Sequence, residues 1–87
     1  MAAAGQPPMT RERMRADLAR ALRMTPDEIE DDDDLIDLGL DSMRAMALLT
    51  RWSEQGLELE LSAVAEKVTL GAWWALAEAA QAGRADG

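Results

Sequence analysis

The stretch Asp37-Leu38-Gly39-Leu40-Asp41-Ser42-Met43, near the middle of the chain, decides the fold. Gly39 interrupts any preceding helix and Asp41 is a favourable N-cap, so a helix is predicted to begin at Asp41-Ser42. We expect this helix to continue to about Gln55, where Gly56 stops it. The sequence therefore predicts a serine hydroxyl at the entrance of a long helix, after a glycine turn and beside a carboxylate.

This predicted helix has more apolar surface than one contact with a core requires. On a helical wheel, one side forms the predicted core stripe, which consists of Ala45, Leu48, Leu49 and Trp52. Met43, Met46 and Ala47 fall on a different side. Methionine side chains are flexible and adapt to several partners, so Met43 and Met46 are predicted to form an exposed patch beside Ser42.

Helical patterns also occur on both sides of this segment. A first helix is predicted from about Thr10 to Arg23, and a last helix begins after the cap Thr69. The stretch from Leu57 to Leu61 alternates like a strand, but no second strand is available to pair with it. We expect an extended link with leucines 57, 59 and 61 turned inward, followed by a short helix from Leu61 to Lys67. The other predicted core residues are Met14, Leu18, Ala21, Leu22, Leu70, Trp73, Trp74 and Ala77.

The predicted fold is all-α: a small bundle of three main helices plus one short helix, with a long first loop. That loop follows a short capped turn from Thr25 to Glu28. Nine of the 17 acidic residues lie between Asp27 and Asp41. Leucines 35, 38 and 40, together with Ile36, are expected to pin the loop to the core.

Length and composition limit the possible functions. The 87 residues allow one domain: a flexible lead-in over residues 1–9, a folded domain over 10–81 and a flexible tail over 82–87. The chain has no histidine and no cysteine, which argues against an ordinary hydrolase or a zinc enzyme. Its net charge of −8 disfavours nucleic-acid binding. No apolar run is long enough to span a membrane and no secretory signal is visible, so we expect a cytoplasmic protein.

A calcium site in the acidic loop is not predicted. An EF-hand beginning at Asp34 would place Gly39 correctly at its sixth position. It would also place Ile36 and Ala45 at positions that require oxygen ligands. The acidic run is therefore interpreted as a solvated loop without a metal.

The residues around Ser42 resemble a known family. Leu38-Gly39-Leu40-Asp41-Ser42-Met43 is similar to the site in acyl and peptidyl carrier proteins, whose modified serine follows a Gly-x-Asp turn. The resemblance is closest to aryl carrier proteins of siderophore-type nonribosomal peptide synthetases and extends from Leu35 to Ala77. The subfamily resemblance is carried by Arg44, Met46, Ala47, Leu48, Arg51, Trp52, Thr69 and Ala72-Trp73-Trp74.

This resemblance implies that Ser42, within a motif that includes Gly39 and Asp41, carries 4′-phosphopantetheine. A phosphopantetheinyl transferase would attach the arm from coenzyme A with magnesium. An aryl-acid adenylating ligase would load its thiol, and a condensation domain would collect the acyl group. The chain would be a free-standing carrier, since it lacks the isochorismatase domain that is fused to the best-known relatives. It is expected to be a monomer and not an enzyme, because a carrier of this kind needs no catalytic base.

The resemblance also implies partner-binding positions. Met46, Leu61 and Ala65 would face the condensation partner, although many relatives have an aromatic residue at the position of Leu61. Asp37 and Asp41 are expected to attract basic residues of the transferase or ligase, which accelerates encounter more than it tightens binding. The predicted partner-binding set is Asp37, Met43, Arg44, Met46, Ala47, Leu61 and Ala65.

Three alternatives remain open from the sequence. The Asp41-Ser42 pair is also typical of an ordinary helix cap with no further role. A carrier for another acyl group, such as an amino acid, a fatty acid or a polyketide chain, is the nearest alternative to the aryl carrier. A small helical adaptor that binds through its methionine patch and carries nothing covalently is the alternative from another functional class.

Overall fold

The computed structural model describes the backbone of residues 9–86 and the side chains of residues 9–82. Over this range the chain forms four α-helices and one 3₁₀ turn, which confirms the predicted all-α bundle. The elements are α1 (Arg11–Leu22), the 3₁₀ turn (Pro26–Glu28), α2 (Ser42–Glu54), α3 (Leu61–Glu66) and α4 (Leu70–Asp86). None of the helices in the described range is long and apolar enough to cross a lipid bilayer.

Side-chain caps explain where the helices begin. The Thr10 hydroxyl accepts a hydrogen bond from the Arg13 amide at 3.1 Å, and the Thr69 hydroxyl accepts one from the Ala72 amide at 3.1 Å. Each contact satisfies an amide of the first helical turn, which has no partner within the helix. At the end of α2, Gly56 adopts a φ of 98°, a conformation that favours glycine.

The ends of the domain lie close together. Met9 is buried, and its backbone nitrogen and oxygen both bond to the side chain of Gln81, at 2.6 and 3.1 Å. The last residue of the predicted lead-in is therefore part of the core, while residues 1–8 lie outside the described range. The α4 backbone continues to Asp86, through most of the predicted tail. The flexibility of that tail stays a prediction.

Two tryptophans form the centre of the core. Trp52 of α2 and Trp73 of α4 are fully buried, and their rings meet edge to face with centroids 6.2 Å apart. Trp73 Nε1 donates to the Val64 carbonyl at 3.1 Å, and Trp52 Nε1 donates to the Asp17 carboxylate at 2.8 Å. The predicted core stripes are confirmed around this pair, and Ala21, Ala45, Leu49 and Trp74 are only partly buried.

Two predicted core residues point outward instead. Ile36 is 53% exposed because the loop turns in a helix-like way, so that Leu35 and Leu38 lie on the inner side and Ile36 does not. Leu61 is 52% exposed because α3 begins at this residue and the strand-like alternation ends there. Val64 is the residue that α3 buries. The prediction of an inward side chain is wrong at both positions.

The acidic loop is anchored to helices as well as solvated. Asp31 accepts from Arg11 at 3.1 Å and from Arg15 at 2.6 Å, and its carbonyl accepts from the Gly71 amide at 3.0 Å. Gly71 suits this position because an added Cβ would lie 3.2 Å from that carbonyl oxygen. Two of the arginines of α1 therefore pair with the loop.

Arg23 ends α1 in a strained conformation. Its φ of 59° is left-handed, the Arg23 amide bonds to the Arg20 carbonyl, and the Met24 amide bonds to the Ala19 carbonyl at 2.8 Å. This Schellman pattern favours glycine at the left-handed residue. We expect Arg23→Gly to stabilise the fold by about 1 kcal/mol, because it removes the cost of a left-handed non-glycine residue. Urea denaturation checks this prediction, and a lower midpoint for the variant would contradict it.

Candidate functional site

A short turn from Leu35 to Leu40 precedes the start of α2. Leu35 and Leu40 are buried at its two ends, and the Leu40 amide bonds to the Leu35 carbonyl at 2.9 Å. Gly39 has a φ of 113°, which residues with a Cβ rarely adopt. Two buried leucines therefore fix the ends of the turn, and the glycine allows its backbone conformation. Together they fix where Asp41 and Ser42 lie.

Ser42 is the first residue of α2 and is exposed. The Asp41 carboxylate accepts from the Arg44 amide at 2.9 Å, which caps the helix, and Arg44 Nη1 reaches the Gly39 carbonyl in a long contact of 3.4 Å. The cap is thus supplied by Asp41, and the Ser42 side chain is not needed for it. This arrangement places Ser42 at the surface rather than in the bundle.

The electrostatics of this position suit an anionic group. The N-terminal end of a helix carries partial positive charge from its free amides, and a phosphate is favoured there. The exposed carboxylates of Asp37 and Asp41 both precede Ser42 in the sequence and offer contacts to cations. Among the described residues, no cluster of three acidic residues is placed to bind a metal ion. The site can present a hydroxyl to another enzyme.

The remaining predicted site residues are all at the surface. Met43 is 82% exposed, Met46 is 46% exposed, and Asp37, Ala47 and Ala65 are exposed as well. Met46 follows Ser42 by one helical turn and shares its face of α2. Arg44 and Ala47 instead line a cleft between α2 and α1. The members of the predicted partner-binding set that belong to α2 are therefore divided between two sides of this helix.

Sequence reasoning missed the α1 side of that cleft. Arg20 of α1 and Arg23, which follows the end of α1, line the cleft together with Arg44 and Arg51 of α2. The arginines were visible in the sequence, but each pattern concerned one helix at a time. The packing of two helices decides which of their faces meet. The hydrophobic pattern of one helix contains no information about that packing.

Two substitutions of Asp41 separate the effect of its helix cap from the effect of its negative charge. Asp41→Ala is expected to destabilise the fold by about 1 kcal/mol because the Arg44 amide loses its cap. Asp41→Asn keeps an oxygen cap and removes the charge, so its stability should stay close to that of the unchanged chain. Thermal unfolding of both variants measures the difference. Equal loss of stability in both would show that the charge, and not the cap, is what matters.

The comparisons with known proteins agree with this geometry. A family model described as the phosphopantetheine attachment site matches residues 12–76. The acyl carrier protein ScoB of Streptomyces coeruleorubidus is 38% identical over 76 residues, which cover 87% of this chain and 89% of ScoB. No solved structure gives a significant match.

Two further relatives are much longer than this chain. An isochorismatase of Bacillus subtilis (strain 168) is 41% identical over 64 residues, which cover 74% of this chain and 20% of the relative. Enterobactin synthase component B of Escherichia coli (strain K12) is 48% identical over 50 residues, which cover 58% of this chain and 18% of the relative. The chain thus spans about a fifth of each of these proteins. Because the family model matches most of the chain, the chain belongs to the phosphopantetheine attachment-site family of carrier domains, whose members carry covalently attached 4′-phosphopantetheine.

Proposed function

We propose that this protein is a free-standing aryl carrier protein with its phosphopantetheine arm on Ser42. The arm supplies a terminal thiol that holds an aryl acid as a thioester, for delivery to a condensation-type partner. The observation that carries the proposal is the exposed hydroxyl of Ser42 at the start of α2, within the residues that match a phosphopantetheine attachment site.

The contribution of the protein would be to present the arm and to be recognised. Asp41 and Gly39 fix the turn and the cap, so that Ser42 meets a transferase in one orientation. The partial positive charge at the start of α2 favours the phosphodiester that the modification would create. Bond-making steps would take place in the active sites of partners, and this is consistent with a chain that has no histidine and no cysteine.

The aryl assignment is supported by the residues and by the names of relatives. The resemblance to aryl carriers includes Trp52 and Trp73, which form the centre of the core. Matches to enterobactin synthase component B and to phenyloxazoline synthase MbtB of Mycobacterium sp. (strain MCS) point to siderophore-type synthetases. ScoB, of which this chain covers 89%, supports the carrier function through its name as an acyl carrier protein. The name of ScoB also keeps the alternative of another acyl cargo open.

The proposed partner surface consists of exposed apolar residues of α2 and α3. Met43 and Met46 are exposed next to the attachment residue, and Leu61 and Ala65 are exposed on α3. Apolar side chains at the surface favour contact with a condensation partner. Asp37 and Asp41 would guide basic residues of the transferase and of the adenylating ligase. We expect the protein to act as a monomer in the cytoplasm.

A loading assay tests the proposal. The full chain is incubated with coenzyme A, magnesium and a promiscuous phosphopantetheinyl transferase, and its intact mass is measured. The modified protein is then offered salicylate, 2,3-dihydroxybenzoate, amino acids and fatty acids, each with ATP and a ligase for that acid. We expect the mass of one phosphopantetheine and then of one aryl acyl group, with no acyl group on the unmodified protein.

The outcomes separate the alternatives. If an amino acid or a fatty acid loads while both aryl acids fail, the aryl assignment is wrong and the carrier assignment stands. If no phosphopantetheine is added under conditions that modify a known carrier, the covalent role is wrong and the non-covalent adaptor is favoured.

A further inference from the structure

The outer faces of α1 and α2 leave a cleft of about 330 Å³ between them. Arg13 Nη2 donates to Gln55 at 3.2 Å and Trp52 Nε1 donates to Asp17, so the two helices run antiparallel. The C-terminal end of α1 consequently lies beside the N-terminal end of α2, where Ser42 is. The α1–α2 cleft is lined by Asp17, Arg20, Ala21, Arg23, Arg44, Ala47, Leu48 and Arg51.

The α1–α2 cleft concentrates positive charge in an acidic protein. Four of the nine basic residues of the chain line it, although the net charge of the chain is −8. Its one carboxylate, that of Asp17, accepts from Trp52. Within the described residues, the four cleft arginines form no salt bridge, whereas Arg11 and Arg15 both pair with Asp31. The arginines near the start of α1 form ion pairs within the fold, whereas the four cleft arginines are exposed to solvent.

The conformation of Arg23 supports a role outside folding. Arg23 occupies a left-handed position at which glycine would be less strained. Strained residues of this kind concentrate at functional positions. The guanidinium of Arg23 is one of the four cations that line the cleft.

The shape of the cleft limits what can occupy it. Arg44 and Arg51 are seven residues apart on α2, which separates them by about 10 Å along the helix axis. Ala21, Ala47 and Leu48 form an apolar floor between the arginines. A row of cations over an apolar floor fits a polypeptide segment that presents several carboxylates and small apolar side chains. A nucleic acid fits poorly, since the nine acidic residues between Asp27 and Asp41 would repel its phosphates.

We propose that the α1–α2 cleft docks an acidic segment of a partner protein. This inference goes beyond the proposed function because it requires neither the arm nor a cargo. The acidic loop attracts basic surface and the cleft attracts acidic surface, so a partner with both signs of charge meets the protein in one orientation. A segment bound in the cleft lies beside Arg44, two residues after Ser42, and holds its own protein close to the attachment residue.

The test uses the full-length Ser42→Ala chain, so that no arm is present. The probe is a fluorescent synthetic peptide of about 12 residues in which Glu and Asp alternate with Ala and Leu. A matched peptide has Gln and Asn in place of every acid. Fluorescence anisotropy gives the affinity, and amide chemical shifts locate the binding. We expect the acidic peptide to bind about tenfold more tightly and to shift the amides of Ala21, Ala47 and Arg51.

Variants provide the matched controls. Arg20→Gln combined with Arg51→Gln should weaken binding of the acidic peptide about fivefold, while Lys67→Gln, which removes a cation outside the cleft, should leave it unchanged. Arg23→Gly should weaken the same binding while raising the melting temperature, an effect that no loss of folding can imitate. Raising the salt from about 20 to about 200 mM should weaken binding further.

The proposal is overturned if both peptides bind equally or if neither binds. It is also overturned if the shifts lie at Met43 and Met46 instead of in the cleft. Concentration-dependent association of the protein alone, reversed by the Arg20 and Arg51 changes, would identify a second copy as the occupant and would overturn it too. None of these results bears on the modification of Ser42, which the mass assay measures separately.

Discussion

Ser42→Ala is expected to abolish the gain of one phosphopantetheine in the transferase assay. The transferase needs a hydroxyl at the surface, and an alanine at this position offers none. Asp41 provides the helix cap through the Arg44 amide, so the substitution should leave the fold intact. The result to measure is intact mass after incubation with coenzyme A, together with the helical circular dichroism of the variant.

The two other serines of the chain are the matched controls. Ser53 is exposed near the end of α2, where its hydroxyl lies 3.4 Å from the Glu58 carboxylate. Ser62 is exposed in the first turn of α3, a helix of six residues. Ser53→Ala and Ser62→Ala should both be modified at the normal rate. Loss of modification in Ser62→Ala, with Ser42→Ala still modified, would move the attachment site to α3.

Trp73→Ala is expected to have the largest effect on stability. Trp73 is fully buried, packs against Trp52 at a ring-centroid distance of 6.2 Å, and donates to the Val64 carbonyl at 3.1 Å. Removing a buried tryptophan costs about 3–5 kcal/mol. A domain of this length has a total stability of roughly 4–13 kcal/mol, so the variant loses a large share of it and should unfold at a much lower urea concentration than the unchanged chain.

Neighbouring substitutions show whether this effect is specific to the site. Trp74→Ala should cost about 1–2 kcal/mol because the adjacent side chain is only partly buried. Trp73→Phe should cost about 1–3 kcal/mol, since it keeps a ring but leaves the Val64 carbonyl without its donor. Urea denaturation followed by circular dichroism measures all three. Similar midpoints for Trp73→Ala and Trp74→Ala would contradict the central role of Trp73.

The position of Ser42 could be predicted because its signals are local. Asp41 caps α2 by accepting from the amide three residues later. Gly39 adopts a positive φ, and that conformational preference depends on the glycine alone. The core stripes of α1, α2 and α4 follow from a helical period that is visible in the sequence. The resemblance to carrier proteins rested on the same residues, and the family match confirms it.

The burial of residues at the ends of secondary-structure elements could not be predicted from local sequence signals. Ile36 and Leu61 looked like core residues, but each lies where one backbone geometry changes into another. At such a border the period of the pattern changes, and a shift of one residue reverses the direction of a side chain. Leu61 is exposed at the surface, and its contact with a partner stays a prediction.

The sequence by itself determined the all-α bundle, the starts of its helices and the serine at the entrance of α2, because each depends on residues within one or two helical turns. The tertiary structure alone decided which distant side chains meet. It paired Asp31 with Arg11 and Arg15, and it gathered Arg20, Arg23, Arg44 and Arg51 around one cleft. Such contacts depend on how α1 packs against the acidic loop and against α2, and that packing is set by burial of the whole core.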